Sequence, residues 1–450
     1  MPFLIDSTTE VNAELICDYI KLHNQLLSPR YQRLHDYYKG NHKILLRTPR
    51  RENDPCNNIV ANFAKYITDI ASGYHIGEPV AYQSDKEDLD KLTELFKKAQ
   101  VDVQDMDNAK EQSIYGVAYE YVYLAADKTP RTATIHPSQA FVLYNNTVEL
   151  TPMAGVCYYE KHDVKTQELT GYTVNVSMDN KVMKFAIDKG FAVDSEIIEE
   201  INPFMKVNLI EIYNNDEKQG DFEQVISLID GYNKQQSNRV DDKENFVNSL
   251  MVLKGQTLGD TSDEKAETVR SIKENGVVEL DAEGDLSFLT RQSDQQGDDL
   301  LRQSLADDIH KFSYVPSFTD KDFAGNISGI AMQFKLFGLN QLMKSKDRYT
   351  KEGLRYRIEL FSNIMALRGM KPVNADDVDI TITHSMPKNL LEIAQMISNL
   401  AGTCSKETLV AQLPFVEDPE EEVKKATEEL RAEQDERFVM STPQDLINAE

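Results

Sequence analysis

One short run places glycines and a hydroxyl where a catalytic turn could form, Gly325-Asn326-Ile327-Ser328-Gly329. A nucleophile elbow needs its serine in the third place, so that a strand-to-helix turn presents the hydroxyl. Here the serine is fourth. The run reads better as a helix start, with Asn326 or Ser328 accepting from an orphan first-turn N–H and Gly329 permitting the entry turn. Asp376, Asp377 and Asp379 could be drawn around a divalent cation, but three carboxylates before a strand read as a solvated turn. Tyrosines between 115 and 123 could stack nucleobases, yet their alternation is that of a half-buried strand face. No glycine is followed by lysine, which excludes a Walker-A phosphate loop, and the 8 histidines never fall at zinc-ligand spacing. The expectation is a protein without catalytic chemistry, cofactor or metal.

With 450 residues, 40% hydrophobic and 28% charged, the chain can bury a core. It could make two or three domains or one elongated subunit. The 75 acidic against 49 basic residues give a formal charge of −26. Tight gripping of nucleic acid over a broad face needs the opposite sign, because phosphate neutralisation supplies most of the affinity. Cys17, Cys56, Cys157 and Cys404 are scattered, with no C-x-x-C pair, which suits a reducing compartment. Residues 1–10 show no secretory pattern, and no apolar run reaches the length of a membrane span.

The elements that must position these residues follow from periodicity. The first 125 residues are expected to be mostly helical. Arg30–Lys39 is a short aromatic-rich helix stopped by Gly40. Asn58 is the expected cap of a helix carrying Ile59, Phe63, Ile67 and Ile70, ended by Gly73 and the Gly77-Glu78-Pro79 turn. Two further helices are expected near 86–99 and 102–115. Strands follow at Val117–Tyr123, Ala154–Glu160, Leu169–Met178, Lys181–Ile187 and Val207–Tyr213, in a small, mainly antiparallel sheet.

Residues 221–253 return to helical spacing, but Lys234 to Arg239 is polar on every side. Such a helix is expected to span solvent or pack on a neighbouring subunit. Residues 254–292 are acidic and glycine-dotted, with apolar runs at Val277-Val278 and Leu286–Leu289. A second helix at 298–312 carries Leu301, Leu305, Ile309 and Phe312 on one stripe and stops before Pro316. After a loop, 313–326, Ile327–Gly369 holds helical spacing and would run roughly 60 Å. Its expected kink is Gly338. It is basic in an acidic chain: Lys335, Lys344, Lys346, Arg348, Lys351, Arg355, Arg357 and Arg368. Asp379–Thr383 is a short strand, and the last 65 or so residues are helical and acidic.

The order Val315-Pro316-Ser317-Phe318-Thr319-Asp320-Lys321-Asp322-Phe323-Ala324-Gly325-Asn326-Ile327-Ser328-Gly329, leading into Phe334-Lys335-Leu336-Phe337-Gly338-Leu339, closely resembles the portal proteins of tailed bacteriophages, of the SPP1 type. Arg30–Leu46, Asn57–Tyr82, Met386–Glu392, Lys406–Leu409 and Leu413–Val416 match in the same order. The close matches cover roughly a third of the chain. The resemblance implies an α+β, predominantly helical, elongated subunit of a dodecameric ring with a central channel. Residues 1–220 would be the wing, 221–253 a stem helix, 254–292 the clip and 293–312 the second stem helix. Residues 313–326 would be the tunnel loop, 327–386 the long kinked helix and a strand returning to the wing, and 387–450 the crown and acidic tail.

It also implies a conduit for packaging and ejection of double-stranded DNA at the capsid vertex. Its partners would be the large terminase subunit, a head-completion adaptor, and the major capsid and scaffolding proteins. It would be assembled in the host bacterial cytoplasm and carried in the virion. Ser317, Thr319, Asp320, Lys321, Asp322, Phe323 and Asn326 would face DNA. Lys321 between two aspartates gives a nearly neutral loop tip that could touch phosphates without trapping them, or be a solvated charge. Asn326, Ser328, Gly329 and Gly338 would be cap and hinge of the long helix. Gln235, Gln236, Asn238, Arg239 and Arg302 would pack between stems. The basic helix could face DNA or pair with acidic neighbours; the charge of −26 favours pairing. Two rivals remain, a metal-dependent nucleic-acid enzyme and a scaffold with no channel.

Overall fold

The computed structural model describes all residues except 1–2, 50, 52–53, 248–249, 255–260, 276–284, 290–294, 319–328, 385–389, 414–415, 417–418 and 441–450. Two compact units emerge, one of residues 1–317 with 338–384, the other of residues 318–337 with 385–450.

The first unit opens with β1 (Phe3–Ile5), α1 (Ala13–Leu26), α2 (Ser28–Lys39), α3 (Phe63–His75), β2 (Ala81–Gln83), α4 (Asp90–Ala99) and α5 (Val101–Tyr115). Strands β3 (Val117–Leu124), β4 (Pro130–Ile135), β5 (Ala140–Asn145), β6 (Pro152–His162), β7 (Leu169–Ser177), β8 (Lys181–Asp188), β9 (Ile198–Ile201) and β10 (Leu209–Tyr213) follow. Then come α6 (Ile226–Val247), β11 (Leu250–Lys254), α7 (Ser262–Asn275), β12 (Asp285–Leu289) and α8 (Gln295–Ser313). The short α9 (Gly329–Lys335) belongs to the second unit; α10 (Phe337–Leu367) and β13 (Asp379–Thr381) return to the first. The second unit adds α11 (Leu390–Leu400), α12 (Lys406–Val410) and α13 (Pro419–Met440). Ser405 caps α12, its hydroxyl accepting from the Thr408 N–H.

The fold is α+β. The main sheet has the order β1-β5-β6-β7-β8-β9 and is antiparallel except for the parallel pair β1–β5. Its inner face packs Phe141, Val156, Val174 and Phe185 against Ile16 and Ile20 of α1. A second sheet, β10-β3-β4, shares a core with α4, α5 and α10, in which Phe96, Val122 and Ile212 meet Leu354, Ile358 and Phe361. Gly353 is required there, since a Cβ would stand 2.7 Å from Ile212 Cγ1. Alternation finds β3 and β6–β8 but misses β1, β4, β5 and β9, which are short or lack a strong pattern.

Gly40 ends α2 as expected, with φ +91°. Asn58 does not cap α3. Asn62 does, accepting from the Lys65 N–H at 3.0 Å, and Gly73 lies inside the helix. Asn58 and Ile59 belong instead to a strap, residues 55–62, with no helix or strand geometry. The stem helix expected over 221–253 is α6 followed by β11, which pairs antiparallel with β12. The helix α7 within 254–292 shows no signal as clear as the glycines around it, and Val277-Val278 lies outside the described residues. The long helix breaks at Leu336, two residues before Gly338.

Candidate functional site

The polar stretch of α6 has partners in its own chain, contrary to the expectation from its composition. Asn233 and Ser237 are fully buried and Asp241 nearly so. Asp241 Oδ1 accepts from Asn57 N–H at 2.7 Å and from Asn57 Nδ2 at 2.9 Å. Ser237 Oγ accepts from Ile59 N–H at 3.0 Å, and Asn233 Oδ1 from Ala61 N–H at 2.8 Å. Alternate amides of the strap thus meet every fourth residue of the helix. The match is geometric: four helical residues rise about 6 Å and two extended ones about 6.7 Å. A strap outside any sheet leaves backbone donors that must be satisfied, and polar side chains do this where apolar ones cannot. Arg47 adds an ion pair to Asp241 at 2.8 Å.

On its other side α6 packs along α8. Gln235 donates to Asp298 at 2.9 Å, Arg239 pairs with Asp299 at 3.0 Å, and Arg302 approaches the same carboxylate at 3.7 Å. Gln236 donates to the Tyr232 hydroxyl, and Asn238 is half-buried. Two of the five residues expected between stems, Gln235 and Arg239, therefore hold α6 to α8 within one chain, while Arg302 pairs within α8 itself. The apolar stripe of α8 is only partly covered: Ile309 is buried, Leu305 half-buried, and Leu301 and Phe312 are 48% exposed each.

The root of the 313–326 loop is tied down. His310 Nδ1 donates to the Val315 carbonyl at 2.9 Å, the Tyr66 hydroxyl donates to that of Pro316 at 3.1 Å, and Val315 is fully buried. Phe63 and Tyr66 set their rings edge-on to His310. Tyr314 turns the chain with φ +60°, and its ring lies beside Gly338. Ser317 is half-buried; Thr319, Asp320, Lys321, Asp322, Phe323, Asn326 and Ser328 lie outside the described residues, and Gly329 opens α9.

The basic residues of α10 divide into two groups. Lys346 and Arg357 are completely buried, which corrects the assignment of the whole set to neighbouring subunits or DNA. Lys346 Nζ pairs with Asp221 at 2.8 Å, both side chains inaccessible, and Asn214 donates to the other carboxylate oxygen. Arg357 meets Glu120 through Nε at 2.7 Å and Nη2 at 2.6 Å, and Asp105 through Nη2 at 2.5 Å. Burial opposes the guanidinium's charge, yet Asp105 and Glu120 hold it protonated well above its ordinary range. The physical reason is position: 346 and 357 fall on the same helical stripe as the buried Leu339, Met343, Thr350, Leu354 and Phe361. Lys335, Lys344, Arg348 and Arg355 are exposed and Lys351 is half-buried.

A further polar cluster lies where α3 meets α10. Asp347 Oδ1 stands 3.1 Å from His75 Nε2 and 3.2 Å from His384 Nε2. Burial pushes His75 down to about 4 despite Asp347. Burial would raise Asp347, but hydrogen bonds from His384 and His75 prevail and hold it at about 2. Of the tyrosines that could form a stacking platform, Tyr115 and Tyr119 are buried, and Tyr119 donates to Glu211 at 2.9 Å. Asp376 and Asp377 sit in a turn capped by Asn374, with Asp377 paired to Lys86. Among the described residues no group of three or more His, Cys, Asp or Glu could hold a metal ion, and no helix is long and apolar enough to cross a membrane.

The portal protein of Bacillus phage SPP1 is 24% identical over 388 residues, covering 81% of this chain and 75% of that protein. The portal protein of Clostridium phage phiCD119 is 24% identical over 428 residues, covering 87% and 91%. Among solved structures, a chain of the neck of an empty gene transfer agent particle aligns with TM-score 0.45 and 10% identity, over 78% of this chain and 90% of that one. A chain of the native gene transfer agent virion aligns with TM-score 0.44 and 9% identity, over 78% and 89%. A family model for "Phage portal protein, SPP1 Gp6-like" matches residues 18–436, so the chain belongs to that family of phage portal proteins.

Proposed function

We propose that this phage portal subunit closes with copies of itself into a ring, dodecameric in the capsid, whose channel passes double-stranded DNA during packaging and ejection. The observation that carries the reading is the family match over residues 18–436. The half-uncovered apolar stripe of α8 supports it, since a helix with exposed leucines and a phenylalanine calls for a partner outside its own chain. In this reading residues 1–220 form the wing, α6 and α8 the stem, and the β11–β12 hairpin with α7 the clip. The loop after Pro316 lines the narrowest part of the channel, and residues from 387 onward form the crown. The clip would dock the large terminase subunit and then the head-completion adaptor; the wing would meet the major capsid and scaffolding proteins. Assembly would take place in the host cytoplasm, before incorporation at the virion's portal vertex. No group in this account carries out a reaction.

Electron microscopy of the purified full-length protein tests it directly. Annular particles with a central hole are expected, and end-on views give the subunit number. A compact monomer at every concentration, with no annular particle in infected cells, would sink the ring; solid particles would favour a channel-less scaffold. Normal packaging by rings carrying Lys321→Glu with Asp320→Ala would remove the loop tip from any role in DNA passage.

A further inference from the structure

Lys344, Arg348, Lys351 and Arg355 follow one another at spacings of four, three and four residues. They form a single basic stripe about 16 Å long on α10. Three of them are exposed and Lys351 is half-buried. The ion pairs that α10 makes to buried carboxylates go through Lys346 and Arg357 instead. No described carboxylate pairs with the stripe, in a chain whose charge is −26.

A second face is the reverse. Leu300, Gln303, Ser304, Asp307, Asp308 and Lys311 line a shallow groove along the outside of α8. Leu300 is 69% exposed. Asp298 and Asp299 of the same helix are engaged by α6, whereas Asp307 and Asp308 have no cationic partner among the described residues. Lys311 stands at the helix end beside the Phe312 ring.

We infer that these two faces meet: the basic stripe of α10 on one copy of this chain docks on the Asp307–Asp308 face of α8 on the next. The inference rests on the ring reading above. A ring of identical chains closes through a heterologous contact, which needs two different, complementary patches on each chain. Copies that each carry a large negative charge repel, and an unpaired basic stripe against unpaired carboxylates offsets part of that repulsion. The apolar part of the groove suits a protein partner, since the aliphatic stems of lysine and arginine can cover Leu300 while their heads reach Asp307 and Asp308. A nucleic acid fits this pair of faces less well, because it would leave the exposed Leu300 and the carboxylates of Asp307 and Asp308 without a partner.

The test is charge exchange in the full-length protein, with ring formation followed by mass photometry across a concentration series. Lys344→Glu with Arg348→Glu should raise the concentration needed for rings by roughly tenfold, leaving the thermal melt of the chain unchanged. Adding Asp307→Lys with Asp308→Lys to that variant should restore rings. Rings that form normally despite the reversal would overturn the inference, and if those rings then lost DNA packaging the stripe would belong to DNA. Disruption without rescue would remove α8 as the acceptor face. Failure of the unaltered protein to form rings would instead take away the ring reading itself, and is seen before any variant is made.

Discussion

α6 hides asparagine, serine and aspartate inside its own chain, while α8, packed beside it, leaves leucines and a phenylalanine exposed. By composition alone the assignments would be exchanged, the polar helix solvated and the apolar one in the core. The difference lies in what each helix faces. α6 faces a strap whose amides have no ladder, so hydrogen-bond acceptors stabilise the contact more than methyl groups would. Among the described residues α8 packs on α6, on the turn at 223–225, on α3 through His310 and on the loop root, and Leu301 and Phe312 of its stripe stay exposed. α10 shows the same division on a single helix, with Lys346 and Arg357 inside and Lys344 and Arg348 outside.

The two faces of α10 should differ most at Arg357, on the buried side. Arg357→Ala leaves Asp105 and Glu120 buried without their cation and should cost about 3–5 kcal/mol in urea unfolding. Arg348→Ala, on the outer side of the same helix, should fall within about 0.5 kcal/mol of the unaltered chain. Equal losses would erase the distinction between the two faces.

The buried side should also answer to acid. His75 titrates at about 4 in the folded chain, against an ordinary value near 6.5. Between those values the unfolded chain binds the extra proton, so stability present above pH 6.5 is lost as pH falls toward 4. The contribution of this one group is on the order of 3 kcal/mol. Burial likewise lowers His23 and His136 to about 4. Glu111, pushed up to about 8 by burial, acts in the opposite sense, its contribution fading as pH rises from the ordinary carboxylate range to 8. Melts across pH 4 to 7 should show His75→Gln starting less stable and losing less on acidification than the unaltered chain. An unchanged slope would show that His75 is not held neutral.

A smaller effect is expected at the strap. Asp241→Ala removes the acceptor of the Asn57 amide and the partner of Arg47, at a cost of about 1–3 kcal/mol. Ser237→Ala should cost about 1 kcal/mol. Limited proteolysis should then cut within residues 55–62 earlier than elsewhere. If the strap stays protected, the alternate hydrogen bonds are not what holds it.

Much of this was legible in the sequence; short strands such as β1 and β9 were too brief to show a period, and the failures around the site share another cause. The helix over 30–39 with its Gly40 stop, the β3 alternation and the Leu354–Met365 stripe all express burial against neighbours of ordinary hydrophobicity. What escaped was polar burial, because period and hydropathy treat a charged side chain as surface. Lys346 and Arg357 could have been placed, since they continue the stripe of Leu339, Met343 and Leu354; their partners Asp221, Asp105 and Glu120 could not, lying 125 or more residues away in sequence. Asn233, Ser237 and Asp241 carry a faint signal, a polar residue at every fourth place. It becomes meaningful only with the strap beside it. Asn58 carries the sequence signature of a cap, since it precedes apolar residues at helical spacing, whereas the amides of its neighbours Asn57 and Ile59 are taken by α6.

The least change to the chain itself is expected on the uncovered side of α8. Leu300→Ser and Leu301→Ser remove side chains that are 69% and 48% exposed, so unfolding of the isolated chain should shift by no more than about 0.5 kcal/mol. Assembly should be more sensitive, because each buried leucine is worth roughly 1.5–3 kcal/mol once its surface leaves water. The same substitutions should therefore weaken rings in sedimentation while leaving the monomer's melt in place. A loss of chain stability as large as that of Asp241→Ala would mean that α8 is already covered from within, and its exposed leucines would no longer argue for a neighbour.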